Sequence, residues 1–571
     1  DIQITVNMQG KALALIFLAY FTNNGLTLVE ANLPKVCYNT STCVLGRFMR
    51  GNENCSYEAF LGIPYAKPPI GELRFSNPEE AVLWQGTLPA LYAKPDCIQK
   101  NYIQQYPTIT GSEDCLYLNV YRPKKRTADK LPVLFYIHGG GFFSGSPNPL
   151  NLGPEYFMDT SEVIVVVPAY RLGPFGFLST NDTAMTGNFG LKDQNLALKW
   201  VQQYVSYFGG DADRVTIFGH SAGGTAVNFH LLSAASEDLF HNAFIMSGVA
   251  TAQFARPLSD PQAQVVQLAK ALGLRGADYM DSTDLVKILR GVNARMLLRA
   301  VDDLKLWNVH PLATFRPNIE LDTWPGAFLT DYQTEFRVSN EPKPLIIGHM
   351  PSRGEGLVLA LRLASNAKLR KEFNANFMKS LSIILDLSAE SDTEEVMSNL
   401  VNTYMDGNYE VNAATLNGFL ELLGDAYFAH PTYKTIEANL RSNTTSLRGL
   451  IKFGYRGRYS YSKLYTGSSK NFGPAHVDDS LFLFKNPVSF PAGYPKTSRE
   501  AALVKRYVGL LVDFAKTGNA AAFDDMAECT YDAFTQGACE HLWIENGAEP
   551  FQTCDVWETD HFDLWDEIIG Y

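Results

Sequence analysis

The pentapeptide Gly219-His220-Ser221-Ala222-Gly223 fits G-x-S-x-G. A serine hydroxyl is a useful nucleophile only when geometry lifts it clear of the backbone and a base takes its proton. The setting meets the first condition. A strand pattern, Val215-Thr-Ile-Phe218, precedes the pentapeptide, and a helical pattern from Ala222 to Leu232 follows it. Glycines permit the tight strand-to-helix turn, and the helix N-terminus stabilises negative charge beside Ser221. Upstream, His138-Gly139-Gly140-Gly141-Phe142 directly follows another strand pattern. Its glycines leave backbone N–H groups unshielded. Those of Gly140 and Gly141, with that of Ala222, would form a three-donor oxyanion hole.

The base is sought among ten histidines. His220 adjoins the nucleophile and on such a turn points elsewhere. His430, His541 and His561 lie downstream but outside any glycine-rich loop, whereas His476 sits in Gly473-Pro-Ala-His476-Val-Asp-Asp479 and is the candidate. A base of this kind needs an acid to hold its tautomer and stabilise its cation. The chain order nucleophile, acid, base places that acid between residues 221 and 476. Glu355, in Gly354-Glu355-Gly356, follows the strand pattern Leu345-Ile-Ile347. Loops at that edge of a parallel sheet carry function. Many other carboxylates fall in the same window, so spacing alone leaves the acid open.

Such residues need a scaffold. Leu134-Phe-Tyr-Ile137, Val163-Ile-Val-Val-Val167, Val215 to Phe218, Ala243-Phe-Ile-Met246 and Leu345 to Ile347 are short and continuously apolar. Strands buried on both faces look like this. Helical patterns at Gln194 to Tyr204 and Ala222 to Leu232 lie between them. The alternation predicts an α/β fold with a large, mostly parallel central sheet flanked by helices. A helix-rich stretch at about 365–440 would pack on it, and Ala501 to Lys516 predicts a further helix closed by Gly518. No repeat, low-complexity stretch or linker divides the chain. The expected organisation is an N-terminal extension and signal peptide over 1–31, then one domain over 32–571; two separable domains is the alternative.

The chain has 571 residues, 46% apolar and 19% charged, which excludes wholesale disorder. Its net charge of −12 argues against a nucleic-acid partner. Lys11 followed by the apolar run Ala12 to Phe21 reads as a secretory signal, with cleavage expected after Ala31. No other segment is apolar for long enough to span a membrane. Four sequons, at Asn39, Asn54, Asn181 and Asn443, fit secretion and glycosylation. So do eight cysteines, all beyond residue 31, since an even count in a secreted chain favours disulfides. No Cys/His spacing resembles a metal site.

These residues together resemble the type-B carboxylesterase/cholinesterase family of α/β-hydrolases, in the manner of secreted insect carboxylesterases. The resemblance runs from about Val36 to the C-terminus. It is carried by Phe60-Leu-Gly-Ile-Pro-Tyr-Ala-Lys-Pro-Pro69, Gly71-Glu-Leu-Arg-Phe75, Ser112-Glu-Asp-Cys-Leu-Tyr-Leu-Asn119, Phe208-Gly-Gly-Asp211, Phe218 to Gly224, Gly424-Asp-Ala-Tyr-Phe428 and Phe514-Ala-Lys-Thr-Gly-Asn519. It implies Ser221 as nucleophile, Glu355 as acid, His476 as base, and Gly140, Gly141 and Ala222 as oxyanion donors. It implies a Cys97–Cys115 disulfide and structural ion pairs Arg74–Glu113 and Arg171–Asp193. The other six cysteines are left unassigned.

The chain departs from the family pattern in four places. The loop Gly348 to Glu355 is about two residues longer than the family pattern, and His220 stands where cholinesterases resemble one another in having Glu. The segment between Cys97 and Cys115 is short and lacks a choline-stacking tryptophan, and a central cysteine pair is absent. His220 and the short segment without that tryptophan argue against a quaternary-ammonium substrate. The expected activity is hydrolysis of a small or medium apolar ester through an acyl-enzyme, with no cofactor or metal. A specialised juvenile-hormone, pheromone or odorant esterase is one alternative. A non-catalytic adhesion protein of the same family is the other. The sequence does not decide between monomer and homodimer.

Overall fold

The computed structural model describes residues 33–331, 342–387, 393–441, 447–519, 540–546, 551–556 and 559–569. The expected signal segment, Asn443, Cys529 and Cys539 lie outside the described residues.

The fold is organised by strands with two apolar faces. In Leu131–Ile137 all seven residues are buried. Val133, Phe135 and Ile137 join the core on one side of the sheet, while Leu134 and Tyr136 join the core on the other. Such a strand must be covered on both faces, which is why it shows no polar alternation in sequence.

Among the described residues, eleven strands form the main sheet. In chain order they are β1 (Arg47–Arg50), β2 (Ser56–Pro64), β3 (Tyr117–Pro123), β4 (Leu131–Ile137), β5 (Ile164–Pro168), β6 (Gly210–His220), β7 (Asn242–Met246), β8 (Leu345–His349), β9 (Leu447–Phe453), β10 (Glu540–Ile544) and β11 (Phe551–Val556). Their spatial order is β1-β2-β3-β5-β4-β6-β7-β8-β9-β10-β11. From β5 through β4 and on to β10 all neighbours are parallel, and the pairs nearer the two edges are antiparallel. This is the α/β-hydrolase arrangement expected from the sequence.

All five apolar runs are strands. Helix α1 (Phe189–Tyr204) starts five residues before the expected Gln194. Its first turns bury Lys192 and Asp193, so charged residues occupy core positions and break the apolar period. Helix α2 (Ala222–Leu232) follows β6 directly, as expected. Strand β9 had no clear signal. Arg448, Gly449 and Lys452 interrupt its apolar pattern, and Lys452 Nζ lies 4.2 Å from the Trp543 ring centroid.

The helix-rich stretch contains Ala367–Ala375, Phe377–Leu385, Thr393–Met405, Leu416–Gly424 and His430–Arg441. The last two are joined by a π-helical turn, Asp425–Ala429. A longer helix, Arg499–Thr517, ends at Gly518 in the left-handed conformation, whose N–H donates to Phe514 O at 2.8 Å.

Two ion pairs brace the scaffold. Asp193 accepts from Arg171 Nε and Nη2 at 2.8 and 2.7 Å and from the Arg171 backbone N–H. Glu113 accepts two bonds from Arg74, whose Nη1 also donates to Arg290 O and Val292 O. Removing one member of such a buried pair typically costs about 3–5 kcal/mol, because the other charge is stranded. Cys97–Cys115 is a disulfide, and so is Cys37–Cys43; Cys55 is a free, exposed thiol.

Candidate active site

Ser221 stands between β6 and α2 with φ 58° and ψ −128°, a conformation that L-residues avoid. Such strain costs on the order of 1–3 kcal/mol and is held by its surroundings. The flanking glycines make the turn sterically feasible. A Cβ on Gly223 would lie 2.1 Å from Ile137 O, and one on Gly219 would lie 2.5 Å from the Gly223 backbone. The Ser221 N–H donates to Met246 O at 2.8 Å, pinning the turn to the end of β7.

The glycine loop after β4 folds back on itself. Gly140 (φ 117°) and Gly141 (φ 61°) take backbone angles suited to glycine. Gly140 O accepts from the Phe143 and Ser144 N–H groups at 3.1 and 2.9 Å. Gln99 fixes the far end by bonding Gly145 N and Gly145 O, and also bonds Cys97 O. The loop is thereby tied to the Cys97–Cys115 crosslink. Among the described residues, the N–H groups of Gly140, Gly141 and Ala222 donate to no protein acceptor. His138 stacks on Tyr170, and burial pushes its pKa down to about 4, so it is neutral near pH 7.

His476 and Glu355 are brought together from distant parts of the chain. His476 Nδ1 hydrogen-bonds Glu355 Oε2. Both are almost fully buried, at 2% and 0% exposure. Glu355 Oε1 accepts from the Met350 N–H at 3.1 Å, so both oxygens are occupied. The His476 backbone is fixed as well, its N–H donating to Gly354 O at 3.0 Å and its carbonyl accepting from Tyr465 Oη at 2.8 Å.

Glu355 is not on a loop, as the sequence suggested. It lies in the first turn of helix Ser352–Ala360. The flanking glycines are there for close packing. A Cβ on Gly354 would meet Pro474 O at 2.1 Å, and one on Gly356 would meet Leu420 O at 2.0 Å.

Ser221, His476, Gly140 and Gly141 line one cavity. Its other walls are mainly apolar, including Phe143, Phe254, Leu312, Val358 and Phe428. Phe428 comes from the π-helical turn and sits 4.6 Å from the His476 ring, measured between centroids. The sequence reading did not assign Phe428 or Tyr465 to the site; only packing across the fold reveals them. Gly248 belongs to the site as well. A Cβ on Gly248 would lie 2.3 Å from Ser221 O, so that glycine makes room for the elbow.

His220 points away from the cavity, as expected, but into a second charged contact. Its Nε2 lies 2.9 Å from Asp479 Oδ1, within ion-pair distance though not aligned as a hydrogen bond. Burial alone would lower the His220 pKa, but Asp479, Glu355 and Asp478 together raise it above the usual value. For His476 burial wins over the attraction of Glu355, and the nearby His220 adds to the lowering. The two rings are 5.0 Å apart, edge to face. Asp478 accepts the Ala475 and Tyr461 N–H groups, and burial raises its pKa to about 7.

Asn39, Asn54 and Asn181 are exposed. Among the described residues, no cluster of His, Cys, Asp or Glu is arranged to hold a metal, and no helix is long and apolar enough to cross a membrane.

The model of the carboxylesterase family matches residues 35–565. The chain is 38% identical to juvenile hormone esterase of Tribolium castaneum, over 88% of this chain and 87% of that protein. It is 32% identical to venom carboxylesterase-6 of Apis mellifera, over 86% of each. The crystal structure of juvenile hormone esterase from Manduca sexta, with OTFP covalently attached, superposes with a TM-score of 0.78 at 27% identity. That match covers 94% of this chain and 99% of the other. With the sheet order, the nucleophile turn and these likenesses in agreement, the chain belongs to the carboxylesterase family of ester hydrolases.

Proposed function

We propose that the protein is a secreted serine carboxylesterase that cleaves a small or medium apolar ester through an acyl-enzyme. The observation that carries this reading is the convergence of Ser221, His476 and the glycine N–H groups on one mostly apolar cavity, with Glu355 bonded behind the histidine. In the mechanism, Ser221 Oγ attacks the ester carbonyl while His476 Nε2 accepts its proton. The oxyanion receives hydrogen bonds from Gly140, Gly141 and Ala222. His476 then protonates the leaving alcohol, and the acyl group remains on Ser221. Water, deprotonated by His476, releases the acid and restores the serine. Glu355 holds the Nδ1–H tautomer and stabilises the imidazolium as it forms. No step uses a metal or cofactor.

Secretion is supported by two disulfides and three exposed sequons among the described residues. The match across residues 35–565 supports one domain over 32–571. A narrower reading, cleavage of a juvenile-hormone-like ester, is favoured by the Tribolium and Manduca relatives.

The test is hydrolysis of a short-chain nitrophenyl ester by the purified protein and by Ser221→Ala. Turnover by the parent and its loss in a folded variant is the expected result. Equal turnover by both would remove Ser221 from the mechanism, and none by the parent would favour the adhesion reading.

A further inference from the structure

One part of the cavity wall does not match the rest. Arg316 and Asp386 line it among apolar side chains. Arg316 Nη2 donates to Asp386 Oδ2 at 2.6 Å, and Nη1 donates to Gln253 O at 3.0 Å. The arginine side chain is 5% exposed but the aspartate is 28% exposed, so the open member of the pair is the carboxylate. Asp386 Oδ2 is taken by Arg316. The other oxygen has no hydrogen-bond partner among the described residues, and Arg316 Nε is buried without one as well. The unused capacity that faces the cavity is therefore an acceptor, the open Asp386 oxygen.

Its place in the cavity is set by a succession of rings. Phe428 lies against His476, Phe254 lies 6.0 Å from Phe428, and Tyr427 stacks 6.5 Å from Phe254. Tyr427 Oη donates to Ile384 O at 2.5 Å, two residues before Asp386. The charged pair is thus separated from the reacting centre by aromatic side chains.

A charged pair in an apolar wall is costly to desolvate, and apolar residues of similar volume often replace one without loss of stability. Its chemistry is therefore better explained by what enters the cavity than by the needs of the fold. Arg316 balances the charge of Asp386, so neither a free cation nor an anion is strongly favoured. A carboxylate accepts hydrogen bonds and never donates them. We propose that Asp386, held by Arg316, is a specificity subsite for a hydroxyl group carried by the ester substrate away from its scissile bond. The hydroxyl donates to the open Asp386 oxygen. This rests on the serine-esterase reading of the same cavity.

The test compares two matched pairs of esters. Nitrophenyl hexanoate is set against its terminally hydroxylated analogue, and hexyl butyrate against its terminally hydroxylated analogue. The two pairs probe the acyl and alcohol sides. In one of them, the kcat/KM ratio of hydroxylated to plain ester should be higher in the parent than in Arg316→Met/Asp386→Leu, by about tenfold or more. Equal ratios for parent and variant in both pairs, with turnover intact, would overturn the subsite and leave the esterase reading standing. Inactivity of the parent on every ester would overturn both. If the double variant does not fold, inhibition of the parent decides: a terminal diol should inhibit more strongly than the mono-alcohol of equal length, and the reverse order would overturn the proposal.

Discussion

The two halves of the site are built by different forces. The nucleophile half comprises the glycine loop after β4 and the elbow between β6 and α2. It is shaped by backbone contact, and side chains at Gly139, Gly219 or Gly223 would collide with neighbouring main chain. The acid–base half is assembled by side chains from a helix and a loop separated by 121 positions, joined through Glu355, His476, Tyr465 and Asp478. The first half is specified by where atoms cannot be; the second needs such clearance too, at Gly354 and Gly356, but is specified in addition by which polar groups must meet.

The largest expected effect falls on the acid–base half. Glu355→Gln keeps the shape and an acceptor for the Met350 N–H, but loses the charge that supports the imidazolium. We expect kcat to fall on the order of 10⁴-fold with the fold retained, read from ester kinetics beside a thermal melt. A loss below tenfold would show that His476 is positioned without Glu355.

In the nucleophile half, Gly223→Ala should act through the backbone instead. The added Cβ meets Ile137 O, and relieving that overlap should cost about 1–3 kcal/mol. Stability and turnover should then fall together. A urea midpoint equal to that of the parent would break the contrast between the halves.

The smallest effect sharpens the boundary between them. His220 belongs to the nucleophile peptide but touches the histidine of the other half. Protonated His220 disfavours a proton on His476. Its removal in His220→Gln also leaves the Asp479 charge uncompensated, and both changes favour the His476 imidazolium. Since the base works in its neutral form, the acid limb of the kcat/KM profile should move to higher pH. The plateau should change by less than about tenfold. A limb that stays in place or moves to lower pH would contradict this.

The same division explains what could be read from the chain. The elbow and glycine loop were legible because steric demands leave glycines at fixed spacing beside apolar strands. The central strands were legible because burial on both faces leaves continuous apolar runs. Glu355 was found, but its setting was misread: Gly354 and Gly356 suggest a loop, whereas they let a helix pack against Pro474 and Leu420. The early start of α1 was hidden by buried Lys192 and Asp193, whose partners Glu320 and Arg171 are remote in sequence. Tyr465 and the Arg316–Asp386 pair carried no local pattern, and the motif that holds Phe428 did not point to the site, because their relation to the cavity exists only after the chain has folded.

The central claim is that Ser221 carries the acyl group. The most direct measurement is reaction of the purified protein with an organophosphate, with turnover followed against label incorporated and the label located by peptide mass analysis. The account predicts one label per chain, on Ser221, with activity lost in proportion. Label on another residue with proportional loss, or full turnover with Ser221 blocked, would contradict it.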